Sequence, residues 1–107
     1  MKTTEDFKTY YAVIFTSTLK TNAEGYHEMA EKMEALAKLQ PGFLGIDSAR
    51  NSVGITICYW ESIDAIIKWK QQSEYLTAQE KGKTDWYSLY NVKICKVERE
   101  YSLSALQ

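Results

Sequence analysis

The chain has 107 residues, the length of one ordinary domain with one hydrophobic core. Hydrophobic residues make up 45% of it and charged residues 25%, a balance typical of a folded chain rather than a disordered one. The 13 basic and 14 acidic residues give a net charge of -1, and the basic residues are dispersed, so we expect neither a nucleic-acid partner nor a membrane surface. No segment has the apolar length of a signal peptide or a membrane span, which predicts a cytoplasmic protein.

The first third of the chain predicts a strand followed by a helix. Residues 10–19 (YYAVIFTSTL) are β-branched and aromatic with no Pro or Gly, a composition that favours a strand. The tetrapeptide TNAE at 21–24 has the form of a capping box, and apolar residues recur behind it at helical spacing. This pattern predicts a helix from about residue 23 to Leu39, which Pro41 and Gly42 end.

The middle of the chain predicts a hairpin. Residues 43–50 (FLGIDSAR) favour a second strand, and NSVG at 51–54 is typical of a hairpin turn. Residues 55–61 (ITICYWE) alternate and are rich in β-branched side chains, which predicts the third strand.

The last third predicts a broken helix and a final strand. Ser62 is a candidate N-cap for a second helix, which we expect to break near Gln72 and Ser73, to restart, and to end by Gly82. Residues 90–102 (YNVKICKVEREYS) predict a long closing strand.

The order of elements is therefore β-α-β-β-α-β. This is the ferredoxin-like α+β arrangement, in which both helices cover one face of a four-stranded antiparallel sheet. We place the domain at residues 10–102, with an N-terminal extension at 1–9 and a C-terminal tail at 103–107.

Both faces of the predicted sheet are apolar. In the third strand Ile55, Ile57 and Tyr59 point to one side, whereas Cys58 and Trp60 point to the other. The helices can cover only one face, so the pattern predicts a homodimer formed through the other. The alternative is that some of these residues are exposed on a monomer, as single apolar side chains often are.

Few residues in this chain can ligate a metal or act as a base. Two cysteines, Cys58 and Cys95, and one histidine, His27, cannot supply the four ligands of a structural zinc site, and we interpret both cysteines as buried small hydrophobes. His27 is most simply a solvated surface residue, although its ordinary pKa would suit a general base. No glycine-rich phosphate loop is present, so we expect no bound nucleotide and no cofactor.

Aromatic residues are the main candidates for a binding site. As a bare pattern, Trp69 and Tyr75 at helical spacing are typical of a core, and Trp60 at a strand end is expected to pack under the second helix. Trp86 and Tyr87, which follow Gly82, are candidates for a lid or a dimer contact.

Several segments of the chain resemble the antibiotic biosynthesis monooxygenases, a family of dimeric α+β barrels. These segments are PGFLG at 41–45, GITICYWES at 54–62, Trp69 in the second helix and VEREY at 97–101. The resemblance extends from Tyr10 to Tyr101 and is greatest to bacterial single-domain members. It implies a dimeric α+β barrel, but a fold alone does not define a function.

Some members of that family oxidise polycyclic phenols with dioxygen, without metal or flavin. They are similar to this chain at Trp69 and Tyr75, which the resemblance marks as catalytic residues. A phenol hydroxyl can exchange a proton or hydrogen-bond to a phenolate, and an indole N–H can donate to a forming oxygen anion. Those members carry an amide four residues before the tryptophan, where this chain has Ala65.

Other members bind heme and cleave its ring. They use a histidine ten residues after the same tryptophan and an asparagine on the first strand, where this chain has Gln79 and, by approximate alignment, Ser17. Glutamine is a poor iron ligand compared with imidazole.

Two hypotheses follow from the residues and the resemblance. The first is a cofactor-independent monooxygenase that acts on a small aromatic or electron-rich substrate. The second is a non-catalytic binding or sensing module for heme or another planar ligand, or a heme-degrading relative without the axial histidine. In both, a planar apolar ligand would lie between helices and sheet, in a pocket lined by Trp69, Tyr75, Gln79, Ser17, Trp60 and Trp86.

Overall fold

A computed structural model describes residues 7–103, apart from the side chain of Ser73. The predicted extension at 1–9 and tail at 103–107 lie largely outside the described residues. In chain order the elements are β1 (Tyr10–Leu19), α1 (Tyr26–Lys38), β2 (Phe43–Arg50), β3 (Gly54–Trp60), α2 (Ile63–Lys70), α3 (Ser73–Lys81), a short π-helix (Gly82–Trp86) and β4 (Tyr87–Val97).

The four strands form one antiparallel sheet in the order β2-β3-β1-β4. The first and third strands in sequence therefore lie at the centre, and the hairpin partner β2 and the C-terminal β4 form the edges. This is the ferredoxin-like order, so the predicted α+β fold is confirmed.

The predicted start of the first helix is wrong. Residues 21–25 form turns, and the N-cap of α1 is Gly25, which has a φ of 84° and no side-chain capping bond. Thr21 is therefore too far upstream to cap the helix, and the capping box predicted at 21–24 does not form. Glycine tolerates this left-handed conformation because it has no Cβ.

The predicted bounds of the last strand are also wrong. β4 begins at Tyr87, since the chain becomes extended directly after the π-helix and Tyr87 pairs with Leu19. It ends at Val97 because Val97 pairs with Tyr10, the first residue of β1, and the ladder has no further partner.

The core lies between the helices and one face of the sheet. Trp60 of β3 is 0% exposed, and Ala37 of α1 and Ile66 and Trp69 of α2 are buried in the same cluster. Gly42 closes the turn from α1 into β2 with a φ of 86°, and a Cβ there would lie 2.7 Å from the Cβ of Ala65. The turn therefore needs glycine both for its conformation and for its approach to α2.

The opposite face of the sheet, which we call the open face, is apolar as predicted. Ile14 lies beside Ile57 in the register of β1 and β3, and Tyr59 lies beside Ala12. Ile55 remains 44% exposed and Leu89 67% exposed. Within residues 7–103 no helix has the length and apolar character needed to span a membrane.

Candidate functional site

A break between α2 and α3 brings Trp69 and Tyr75 together. In an unbroken helix, residues six apart would point about 120° away from each other. Here α2 ends at Lys70 and the backbone of Gln72 is extended. The side-chain oxygen of Gln72 accepts a hydrogen bond from the Tyr75 backbone N–H at 2.8 Å. This cap starts α3 in a new direction, and the two rings lie 4.7 Å apart between their centroids.

The pair forms one end of a row of four aromatic rings. Trp69 stacks on Trp60 at 6.0 Å, and Trp60 meets Phe43 edge-on at 5.3 Å. Trp60 packs under α2, as the sequence indicated, and Trp69 is only 8% exposed. Tyr75 is half-buried at the end of the row, so its ring is the member that a ligand could contact first.

The Tyr75 phenol, like any tyrosine near its ordinary pKa, is protonated at neutral pH, and burial raises that pKa further. Desolvation raises its pKa above the ordinary value of 10, with smaller contributions from the nearby Cys58 and Tyr90. Burial, with a contribution from Glu34, also raises the pKa of the Cys58 thiol to about 11. Near neutral pH the side of the row next to the sheet therefore presents an uncharged phenol and an uncharged thiol, and the phenol can donate a hydrogen bond.

A second cluster, which we call the Arg50 cluster, lies on the same face of the sheet. Arg50, Gly54 and Ser17 occupy one row across β2, β3 and β1, and Tyr90 continues it on β4. The Arg50 guanidinium donates to the hydroxyl of the buried Ser17 through Nη2 and to its backbone oxygen through Nη1, the latter at 3.4 Å. Its Cζ lies 5.2 Å from the centroid of the Tyr26 ring.

Sequence reasoning identified Ser17 but missed Arg50 and Tyr26. A signal was present: Arg50 comes directly before the predicted NSVG turn, so the hairpin must place it opposite the first residues of the third strand. What it meets there depends on the pairing of β3 with β1, which is not a local property of the sequence.

Of the remaining predicted site residues, Gln79 follows Tyr75 on the same helix, whereas Trp86 packs against α1. Gln79 is half-buried on α3, one helical turn after Tyr75. Trp86 is 3% exposed, packs against Tyr26 at 6.0 Å and donates from Nε1 to the backbone oxygen of Glu24 at 2.9 Å. Trp86 is thus anchored within its own chain. His27 is exposed on α1.

Two small cavities lie elsewhere on the described residues. One of about 170 Å³ opens between α1 and α3, and one of about 120 Å³ lies beside the start of β1. Both are below the volume of ordinary small-molecule pockets. Neither is lined by Trp69, Tyr75 or Gln79; the larger is lined by Met29, Lys32, Met33, Glu74 and Thr77.

The fold is shared with solved proteins of low sequence identity. A Caulobacter crescentus CB15 protein provisionally classed as an antibiotic biosynthesis monooxygenase is 16% identical, with a TM-score of 0.72 over 83% of this chain and 90% of its own. SnoaB from Streptomyces nogalater, a cofactor-independent oxygenase, is 15% identical, with a TM-score of 0.66 over 91% of this chain and 98% of its own. At such identities the likeness defines the fold and not the activity.

A nearer relative defines the family. The uncharacterized protein YqjZ of Bacillus subtilis (strain 168) is 50% identical over 93 residues, which cover 85% of this chain and 82% of that protein. The chain therefore belongs to the family of YqjZ. No family model matches the chain.

Proposed function

We propose that this protein is a cofactor-independent monooxygenase of a small, planar aromatic substrate, with Trp69 and Tyr75 as its catalytic residues. The observation that supports this proposal best is the contact of the two rings at 4.7 Å beside the sheet, where the half-buried Tyr75 hydroxyl can donate a hydrogen bond. The shared fold of SnoaB, which is itself a cofactor-independent oxygenase, adds support.

The proposed chemistry requires little of the protein. An electron-rich substrate such as an anthrone, once deprotonated, can pass an electron to dioxygen itself. One oxygen atom becomes the new carbonyl oxygen, and the other leaves as water with the two hydrogens of the oxidised carbon. Tyr75 would donate a hydrogen bond to the substrate oxygen anion, and the Trp69 indole N–H would donate to developing charge on oxygen. The apolar surroundings strengthen both interactions.

The burial of the two rings indicates how a substrate would enter. Trp69 is only 8% exposed and Tyr75 is half-buried, so we expect a planar ligand to enter beside Tyr75 and to displace side chains between α3 and the sheet. A second candidate function is a non-catalytic binding module for heme or another planar molecule, which the chain's Ala65 favours because the phenol-oxidising members carry an amide donor at that position. In that case a ligand would bind without any oxidation.

Oxygen uptake distinguishes the two functions. We expect the purified protein, without added metal or flavin, to consume dioxygen in the presence of anthrone faster than buffer does, and to form anthraquinone. An oxygen electrode and chromatography of the product measure both. Uptake at the buffer rate would contradict the monooxygenase for this substrate class, and tight hemin binding in the same preparation would then favour the binding module.

We also propose that two copies pair through the open face, because its two central strands are apolar there, with Ala12 and Ile14 on β1 beside Tyr59 and Ile57 on β3. On this face Lys93 lies on the edge strand β4, next to Ile14, and Asp47 lies on the opposite edge strand β2, next to Ile57. A two-fold axis parallel to the strands would set the Lys93 edge of one copy against the Asp47 edge of the other. Such a face is complementary to itself in both shape and charge.

Substitution of Ile55 by Lys tests the dimer. Ile55 is 44% exposed on the open face, and Ile63, 40% exposed on α2, provides a matched control outside it. We expect Ile55→Lys to shift the protein to a monomer because an unpaired charge would be buried at the interface, whereas Ile63→Lys should remain dimeric. Sedimentation equilibrium at micromolar concentration measures this. A stable wild-type monomer would contradict the proposal.

A further inference from the structure

The Arg50 guanidinium is held in a fixed position on the helix-facing side of the sheet. It lies directly against the backbone of Gly54, where even a Cβ would collide with it, and the buried Ser17 accepts two of its hydrogen bonds. The Tyr26 ring approaches it from α1 at 5.2 Å. Three separate elements therefore orient this cation, and its side chain is half-buried.

The charge of Arg50 has no partner of opposite sign in the described part of the chain. The ion pairs there are formed by lysines alone, namely Lys32 with Glu74, Lys38 with Glu34 and Lys81 with Asp85. A guanidinium carries five N–H donors, and Ser17 occupies one each on Nη1 and Nη2. The three N–H donors that Ser17 does not occupy are of the kind with which arginine binds an anionic oxygen group.

A group of aromatic rings extends from Tyr26, which packs on this cation, toward β4. Tyr26 contacts Tyr87 at 5.8 Å, Tyr87 contacts Phe15 at 5.2 Å and Tyr90 at 5.8 Å, and Phe15 contacts Tyr90 at 5.3 Å. A fixed cation next to flat apolar surfaces is suited to a ligand that is aromatic at one end and anionic at the other.

We infer that the Arg50 cluster is a subsite for a carboxylate carried by an aromatic ligand, a group separate from the oxygen that Tyr75 contacts, and that it selects carboxylates over neutral analogues. This inference rests on the proposed function in placing the rest of the ligand beside Tyr75. Both groups lie on the helix-facing side of the sheet, and Tyr87 is within electrostatic reach of each: burial and Tyr26 raise the pKa of Tyr87, Arg50 opposes that rise and Tyr75 adds to it.

Two probes of the same shape test the subsite. 2-Naphthoate carries a carboxylate and 2-naphthamide does not. With the full chain, NMR titration should show that wild-type protein binds 2-naphthoate about 10-fold or more tightly than 2-naphthamide, as expected for charge-assisted hydrogen bonds. Arg50→Gln should abolish this difference, and Arg50→Lys, which keeps the charge and loses the fork, should retain only part of it. The Arg50 Nε–H resonance should shift with 2-naphthoate alone.

A purely structural Arg50 would give a different pattern, because Arg50→Gln would then lower the thermal stability and the affinity for both probes alike. The inference is overturned if the probes bind wild-type protein equally, if neither binds, or if Arg50→Gln still discriminates between them. Should that variant not fold, an unchanged Arg50 Nε–H resonance in wild-type protein overturns it. Anthrone oxidation and Tyr75→Phe separate this inference from the proposed function. If Tyr75→Phe loses oxidation and still binds 2-naphthoate more tightly than 2-naphthamide, both proposals are supported. If wild-type protein does not oxidise anthrone but distinguishes the two probes, only the monooxygenase is refuted; if it oxidises anthrone but does not distinguish them, only the subsite is refuted.

Discussion

Replacing Tyr75 by Phe is expected to lower the rate of anthrone oxidation about 10²–10³-fold, the usual cost of losing one hydrogen-bond donor to a developing anion. The substitution removes the hydroxyl and keeps the ring that packs on Trp69 at 4.7 Å, so the fold should be unaffected. The rate of oxygen uptake per protein, compared at several anthrone concentrations, measures the effect. A fall in kcat with little change in KM would indicate that the hydroxyl acts in the transition state.

Tyr10→Phe is the matched control for this variant. The Tyr10 hydroxyl donates to Glu100 at 2.6 Å on the far side of the sheet and takes no part in the proposed site. The Tyr10→Phe variant should therefore oxidise anthrone at the wild-type rate. If Tyr75→Phe and Tyr10→Phe behave alike, the hydroxyl of Tyr75 is not catalytic, and the binding module becomes the better description of the protein.

Replacing Trp60 by Ala should lower the free energy of unfolding by about 3–5 kcal/mol, the range found for removal of a large buried aromatic side chain. Trp60 is 0% exposed and packs against both Phe43 and Trp69, so its loss leaves a cavity that rigid strands cannot fill. Urea denaturation at one fixed protein concentration, followed by circular dichroism, measures the change. The fixed concentration matters because dimer formation contributes to the apparent stability.

Tyr101→Ala provides the comparison for that experiment. Tyr101 is 85% exposed, and its removal should change the free energy of unfolding by no more than about 0.5 kcal/mol. A loss at Trp60 as small as that at Tyr101 would contradict the packing of the aromatic row as the centre of the core.

Local patterns in the sequence predicted most of the fold. Three predicted features depend only on residues a few positions apart: the alternation in β3, the Ser62 cap of α2 and the break at Gln72. The Ser62 hydroxyl oxygen accepts from the Ala65 N–H at 3.1 Å, as a cap requires. The capping box predicted at 21–24 does not form although its residues fit the motif, because the chain turns at 21–25 and the helix begins only at Tyr26, after Gly25 with its positive φ. The Trp86 indole N–H, which donates to the Glu24 backbone oxygen at 2.9 Å, is a long-range contact at this turn of the kind that overrides a local preference.

The candidate site was less predictable than the fold. Trp69 and Tyr75 were identified from the family resemblance, but their ring contact depends on the changed direction of α3 after its Gln72 cap. Arg50 and Tyr26 were missed because their meeting depends on how β2, β3 and β1 pair and on where α1 begins. Their roles, like those of Gln79 and Trp86, stay predictions.

The two cysteines differ sharply in their environment, which gives the protein a natural position for a probe. Cys58 faces the helices, and with a pKa of about 11 only about one thiol in 10⁴ is ionised at pH 7. Cys95, contrary to the predicted burial of both cysteines, is exposed in the single chain and lies next to Ala12 on the open face. A thiol-reactive fluorophore should therefore attach at Cys95 in preference, and pairing of two copies through the open face should slow that reaction, so the labelling rate reports pairing without any mutation.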